Sequence, residues 1–351
     1  GGAVNAAGRF GVAAASNAIT YTQSGGTVTV QTQGNTSTTL AGFDVGTGTG
    51  SSVTLSGGTI VVQLANTAAS GPRDYRHQSG SATTTGGIAS VTGTVLQLGN
   101  ANSGAAKTFT VRGVVPNLVI DNTSAGHTGQ WDTTLTNWNN ISRNITVNPG
   151  TTLNLANAIF LFAGTTFTNN GTLVHNGASS RTYFFGSGAN APQTFGGSGT
   201  ITAPLSSIDF DNALGVTVNM PVITNRVILF AGDVNNSGSL TVGNGGTTAS
   251  TVQIGNTTTP TLAGVFDQQL NFNPGSGGIV FSYLRTGSSR VIGPEMPASR
   301  TVTNMTYNDN DPSHTLSLDA DLTVTGTLTL TEGRIVTAGN TLIHNGTATR
   351  T

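Results

Sequence analysis

"LTVTGTLTLT" occupies residues 322–331, and its reading decides the fold. Leu322, Val324, Leu328 and Leu330 alternate with Thr323, Thr325, Thr327, Thr329 and Thr331. A period of two sends the apolar set to one face of a strand and the threonines to the other. Words of this kind recur along the chain, with Gly, Asn and Asp between them to supply the positive φ angles that turns need.

The recurrence is regular enough to align. Residues 153–182 face 322–351 without a gap, with identities at Leu153, Leu161, Gly164, Thr172, Leu173, His175, Asn176, Gly177, Arg181 and Thr182. A third copy, 223–245, matches 155–177 after one deletion and shares the word LFAG. Lead-in words "LVIDN" (118–122), "IDFDN" (208–212) and "MTYNDN" (305–310) precede the copies, and the first carries an insertion at 123–140 expected to form a loop. The first hundred residues use another word: "SGGTVTV" (24–30), "SGGTIVV" (56–62) and "GGIASV" (86–91). Three segments follow: a non-repetitive 1–20, an SGGT-type region 21–112 and an LFAG/NGTL-type region 113–351.

Strands this short, with turns this frequent, build sandwiches or a solenoid. Sandwich domains would show clusters of about seven strands with clear boundaries. Here the words recur at irregular spacing and no Pro-rich or charged linker separates them. The expected fold is all-β, a right-handed parallel β-helix (β-solenoid) with irregular loop insertions, and the alternative is tandem β-sandwich domains.

Composition narrows the function. Charged residues are 8% of the chain, against about 25% in ordinary globular proteins. With 49 glycines, and Thr, Asn and Ser as the other polar residues, the chain disfavours helix interiors. A net charge of −1 with scattered basic residues gives no electrostatic footprint for nucleic acid, and no apolar run reaches the ~18 residues of a membrane helix. The absence of cysteine excludes disulfide scaffolds and thiolate metal sites.

"ITYTQSGGTVTVQ", "LSGGTIVVQ", "VTGTVLQLGN", "PNLVIDN" and "LTVTGTLTLTEGRIVTAGNTLI" resemble the repeats of very long secreted and cell-surface proteins of Bacteroidota, of the type IX secretion kind. The likeness covers most of the chain. It implies a β-solenoid serving as an adhesin, stalk or surface filament at an extracellular, cell-surface location.

His175 and His344 stand at the same place in "NNGTLVHNG" and "AGNTLIHNG", each before Asn-Gly, a turn signal. No further donors recur beside both, so they read as exposed or half-exposed strand-end residues of a repeating coil rather than a metal site. Three acidic pairs, Asp209/Asp211, Asp309/Asp311 and Asp319/Asp321, have the i, i+2 spacing that aims two carboxylates at one strand face. Pro312 marks a turn beside Asp309 and Asp311, which makes that pair the candidate calcium site. Trp131 and Trp138, the only tryptophans, fall in the insertion, where they either pack the loop or offer a platform to surface glycans. Threonine rows resemble ice-binding faces, but "TFTNNGTLVHN" is expected to break the row. The chain has no G-x-S-x-G, P-loop or H-E-x-x-H. The expected function is non-enzymatic: a segment or subunit of an extracellular fibre or adhesin, joined end to end with further copies or continuing a longer chain. A carbohydrate-binding or polysaccharide-cleaving β-helix is the alternative.

Overall fold

The computed structural model describes residues 1–46, 50–68, 73–78, 84–132, 140–156, 159–175, 177, 180–258 and 263–350. It is nearly all-β, and every pairing with a defined register among these residues is parallel, which fits the solenoid and not the antiparallel sandwich. Two compact units make up the chain: residues 1–180 with 187–189 and 196–202, and residues 181–186, 190–195 and 203–351. Residues 112 and 113, where the two repeat types meet in the sequence, lie inside one strand, Thr108–Val115.

In the first unit the chain winds through three faces per coil. Ile145–Val147, Thr152–Asn154 and Ile159–Phe162 follow one another round a coil. The next coil returns in register, with Ile145 beside Phe167 and Leu153 beside Leu173. Leu322 pairs with Leu342 in the second unit at the same twenty-residue step, so the long sequence repeat covers more than one coil. Leu153, Leu161, Leu173 and Leu322 are buried as the alternation requires, whereas Leu330 and Leu342 are half-buried.

The apolar faces stack like with like. Phe10, Phe43 and Tyr75 share a register position on successive strands, their rings 5.7 and 5.6 Å apart and stacked with nearly parallel planes. That separation follows from strands spaced about 4.8 Å apart, with offset rings leaning to keep contact. On the solvent side, Thr108, Thr128, Thr152, Thr172 and Thr200 occupy one column across five strands. Thr172 belongs to "TFTNNGTLVHN", so that word continues the column rather than breaking it. The neighbouring column is mixed, Thr110, Gln130, Asn154 and Val174, and no flat two-column threonine array forms there.

Corner asparagines tie coil to coil. Asn144 Oδ1 accepts from the N–H groups of Thr165 and Thr166, and Asn304 Oδ1 accepts from Thr327 N–H. Each amide oxygen satisfies backbone donors of the following coil.

The non-repetitive start joins the stack, since Ala3–Asn5 and Phe10–Gly11 pair in parallel with Thr20–Val30 and Phe43–Asp44. Two expectations change. "GGIASV" is no third strand; most of it lies in the short helix Thr84–Ala89. The 123–140 insertion is not only loop, because Thr128–Trp131 pairs with a strand on each side. Gly129 explains the last change: its site faces Ile120 and Leu98 side chains at 3.0 Å from an added Cβ, so the strand fits the coil because a glycine stands there.

The second unit has one long face of eight strands: Arg181–Phe185, Ile208–Asp211, Arg226–Asn235, Ser250–Gly255, Ile279–Leu284, Asn304–Asn308, Thr327–Leu330 and Thr347–Arg350. Inward rows of Phe184, Phe210 and Leu229, and of Phe281, Met305 and Leu328, form its core.

Candidate functional site

Trp131 is fully buried, its ring 4.9 Å from Phe160 in an edge-to-face contact. It is a packing residue with no face open to a sugar, which corrects the platform reading. Trp138 lies outside the described residues. His175 is buried, not exposed as expected, because it closes a strand inside the stack; His344 is half-buried, its Nε2 3.1 Å from Gly326 O.

The acidic pairs have three different fates. Asp309 is fully buried, with Oδ2 accepting from Thr286 Oγ1 at 2.8 Å and Oδ1 3.0 Å from His314 Nδ1. Asp311 is exposed, accepts from Ser313 N–H and Oγ, and lies 3.6 Å from His314 Nε2; the serine bonds hold its carboxyl below the usual range. The two aspartates thus converge on a histidine, and no group of three or more His, Asp or Glu able to hold a metal occurs among the described residues. Asp319 pairs with Arg300 at 2.6 Å, and Asp321 accepts from Thr341 N–H. Asp209 and Asp211 belong to a larger cluster described below. Four strand steps, about 19 Å, separate them from Asp309, so the acidic pairs do not share one groove.

The first unit holds a charged network that sequence spacing did not reveal. Asp44, Arg76 and Arg112 stand at one register position on successive strands. Arg76 donates from Nε and Nη2 to the two oxygens of Asp44 at 3.0 and 2.6 Å, and Asp44 also accepts from the N–H groups of Ala41 and Gly46. Arg73 and Arg112 both reach Asp132 Oδ2, at 3.0 and 3.2 Å. Beside them Asp74 accepts from Asn66 and Thr110 N–H, yet burial outweighs those bonds and pushes its carboxyl up to about 7. Burial likewise pushes His77 down to about 4. The Asp44–Arg76 and Arg73–Asp132–Arg112 links join residues of different coils, and Asp74 ties Asn66 to Thr110, so these bonds fasten coils together.

The outer face of the second unit differs. Arg181, Tyr183 and Phe185 project away from the Phe184 core on one strand, and Asp209 and Asp211 do so on the next. Arg181 Nε donates to Asp209 Oδ2 at 2.5 Å, and Ser207 Oγ donates to Oδ1 at 2.5 Å. Burial raises the Asp209 carboxyl, with Arg181 and Arg226 opposing it. Tyr183 donates its hydroxyl to Asp211 Oδ2 at 2.7 Å; burial first, then that bond, raises the phenol.

A register shift places the third ring. Phe210 pairs with Leu229 but Asp211 pairs with Ala231, leaving Phe230 as the extra residue of a bulge. Bulges re-aim a side chain. Here Phe230 leans back across the strand Ile208–Asp211 to within 5.7 Å of the Tyr183 ring, and Phe185 lies 6.3 Å from Tyr183. Arg181 sits 5.7 Å over the Tyr183 ring. Tyr183 is buried at 8% exposure, while Phe185 and Phe230 are half-buried. The shared word LFAG therefore does two things: Phe162 is fully buried in its first copy, and Phe230 reaches the outer face in its second. Spacing in "RTYFF" and "IDFD" shows which residues face outward, but not that the two words are adjacent coils.

Comparison with protein families, with curated proteins and with solved structures finds no match for the chain.

Proposed function

We infer that the protein is a non-enzymatic structural protein, a segment or subunit of an extracellular cell-surface fibre or adhesin. The observation that carries this is the parallel, in-register stacking within each unit, with the buried charges spent on coil-to-coil ties. Such stacking gives each inner strand two bonded neighbours and makes stability a sum over contacts between adjacent coils, which suits a mechanical role. A chain rich in threonine, asparagine and glycine, with 8% charged residues, offers hydrogen-bonding groups to surface partners. End-to-end association of copies is part of this reading.

Antibody raised against the purified chain tests the location. Labelling of intact, unpermeabilised source cells, concentrated on surface fibres, is the expected result. Labelling that appears only after permeabilisation refutes it.

A further inference from the structure

We propose that the outer face around Tyr183, Phe185, Phe230 and Asp211 is a binding site for an uncharged polysaccharide. The proposal stands on this cluster alone and does not need the surface-fibre reading.

Three observations converge. First, the bulge brings Phe230 to 5.7 Å from the Tyr183 ring, which also lies 6.3 Å from Phe185, so three rings gather on an outward face where a fold of this kind needs none for its core. Half-buried rings present C–H-binding faces, the surface on which the apolar side of a sugar ring rests. Second, Asp211 uses only Oδ2 for Tyr183, and its Oδ1 accepts no hydrogen bond among the described residues. A half-buried carboxylate oxygen beside aromatic rings is an acceptor for a sugar hydroxyl. Third, the cluster holds two arginines and two aspartates: Arg181 and Arg226 act on the buried Asp209, and Arg226 Nη2 also donates to Gln253 Oε1 at 3.3 Å. A balanced site exerts no net pull on a uronic acid polymer or a polycation, which leaves a neutral chain as the matching ligand.

The same face continues the site. Asp209, Ile228, Gln253, Ser282, Thr306, Thr329 and Thr349 share one register column on successive strands. Asp209, Ile228 and Gln253 are buried, with the Gln253 amide bonded to Arg226 and Gly255, and from Ser282 onward every member is a half-buried or exposed hydroxyl, repeated about every 4.8 Å. A polymer anchored on the rings and long enough to pass the buried positions can exchange its hydroxyl hydrogen bonds with Ser282, Thr306, Thr329 and Thr349 beyond them. A nucleic acid would also stack on the rings, but its phosphates would meet no cationic track.

Native affinity electrophoresis of the full chain tests the site, with xyloglucan, galactomannan, soluble starch or mixed-linkage β-glucan cast in the gel. Polygalacturonate, alginate and single-stranded DNA serve as charged comparisons. At least one neutral polymer is expected to retard the chain, and the charged ones are not. Phe185→Ala and Phe230→Ala should each weaken that retardation about tenfold in apparent affinity, Asp211→Asn less, and Phe230→Trp should retain it. Circular dichroism melts of the alanine variants within a few degrees of the parent show that the fold is kept, because both rings lie outside the core. The proposal is overturned if no neutral polymer retards the parent, if a charged polymer binds better, or if both alanine variants bind as the parent does.

Discussion

Arg76→Met is the most informative single change to the first unit. The arginine side chain is 5% exposed and its partner Asp44 0%, and two charge-assisted bonds of 3.0 and 2.6 Å join them. Methionine keeps much of the volume and removes both bonds, leaving Asp44 with the N–H groups of Ala41 and Gly46. Bonds to charged groups contribute about 1.5–3 kcal/mol each, and breaking a buried pair from one side costs about 3–5 kcal/mol. The two estimates agree. Because stability in a stack is local, the loss should appear as faster amide exchange in the strands Phe43–Asp44 and Tyr75–His77, by roughly a hundredfold or more. A second variant, Asp44→Asn with Arg76→Met, should recover part of the loss: no buried charge then lacks a partner, but the amide nitrogen faces the N–H of Ala41 or Gly46, where a carboxylate oxygen accepted. Exchange rates in Arg76→Met within about fivefold of the parent would refute the reasoning that this pair holds coils together.

Other expectations are as direct. Leu173→Ala, on a fully buried side chain stacked on Leu153, should cost about 2–5 kcal/mol by urea denaturation; a loss under about 1 kcal/mol would mean the strand register is wrong. In a Trp138→Phe background, Trp131 should emit at short wavelength and resist iodide quenching, as its complete burial against Phe160 demands. The pH dependence divides between two neighbours. His77 titrates near 4 in the fold against 6.5 free, so its contribution grows with pH across that window and is lost as pH falls. Asp74 titrates near 7 against 3.8, so its contribution is full below 3.8 and is lost as pH rises through 7. The slopes oppose each other between 4 and 6.5. Asp74→Asn should therefore make stability rise more steeply with pH there than in the parent, by up to about 1.4 kcal/mol per pH unit; parallel profiles would contradict the assignment.

Much of the fold was legible because stacking reuses register. The alternation in 322–331 marks strand correctly, although the stretch divides into Leu322–Val324 and Thr327–Leu330 on two different faces of the coil, with Thr325-Gly326 between them. The Leu153 and Leu322 repeat reports strands that stack in register, and Leu153, Leu173 and Leu322 are buried accordingly. What escaped is what depends on which coil lies next to which. The words "RTYFF" and "IDFD" each show an outward set, yet only the pairing of Tyr183 with Asp209 turns them into one cluster. The bulge at Phe230 is invisible because LFAG is the same word in both copies. Asp44, Arg76 and Arg112 are far apart in sequence with no shared motif, so their column appears only once the coils are stacked. "GGIASV" misled because its glycines match those of strands while its sequence folds as a short helix.

The central claim is parallel stacking of coils in fixed register, and the threonine column tests it most directly. The chain has no cysteine, so paired substitutions at Thr108 with Thr152, Thr172 or Thr200 can carry spin labels without background. The column places these residues two, three and four strand steps apart. Electron paramagnetic resonance distances should then rise in equal increments of about 4.8 Å, from about 10 to about 19 Å between the backbones. Distances that fail to rise in that order, or that place Thr108 nearer Thr200 than Thr152, would contradict the solenoid.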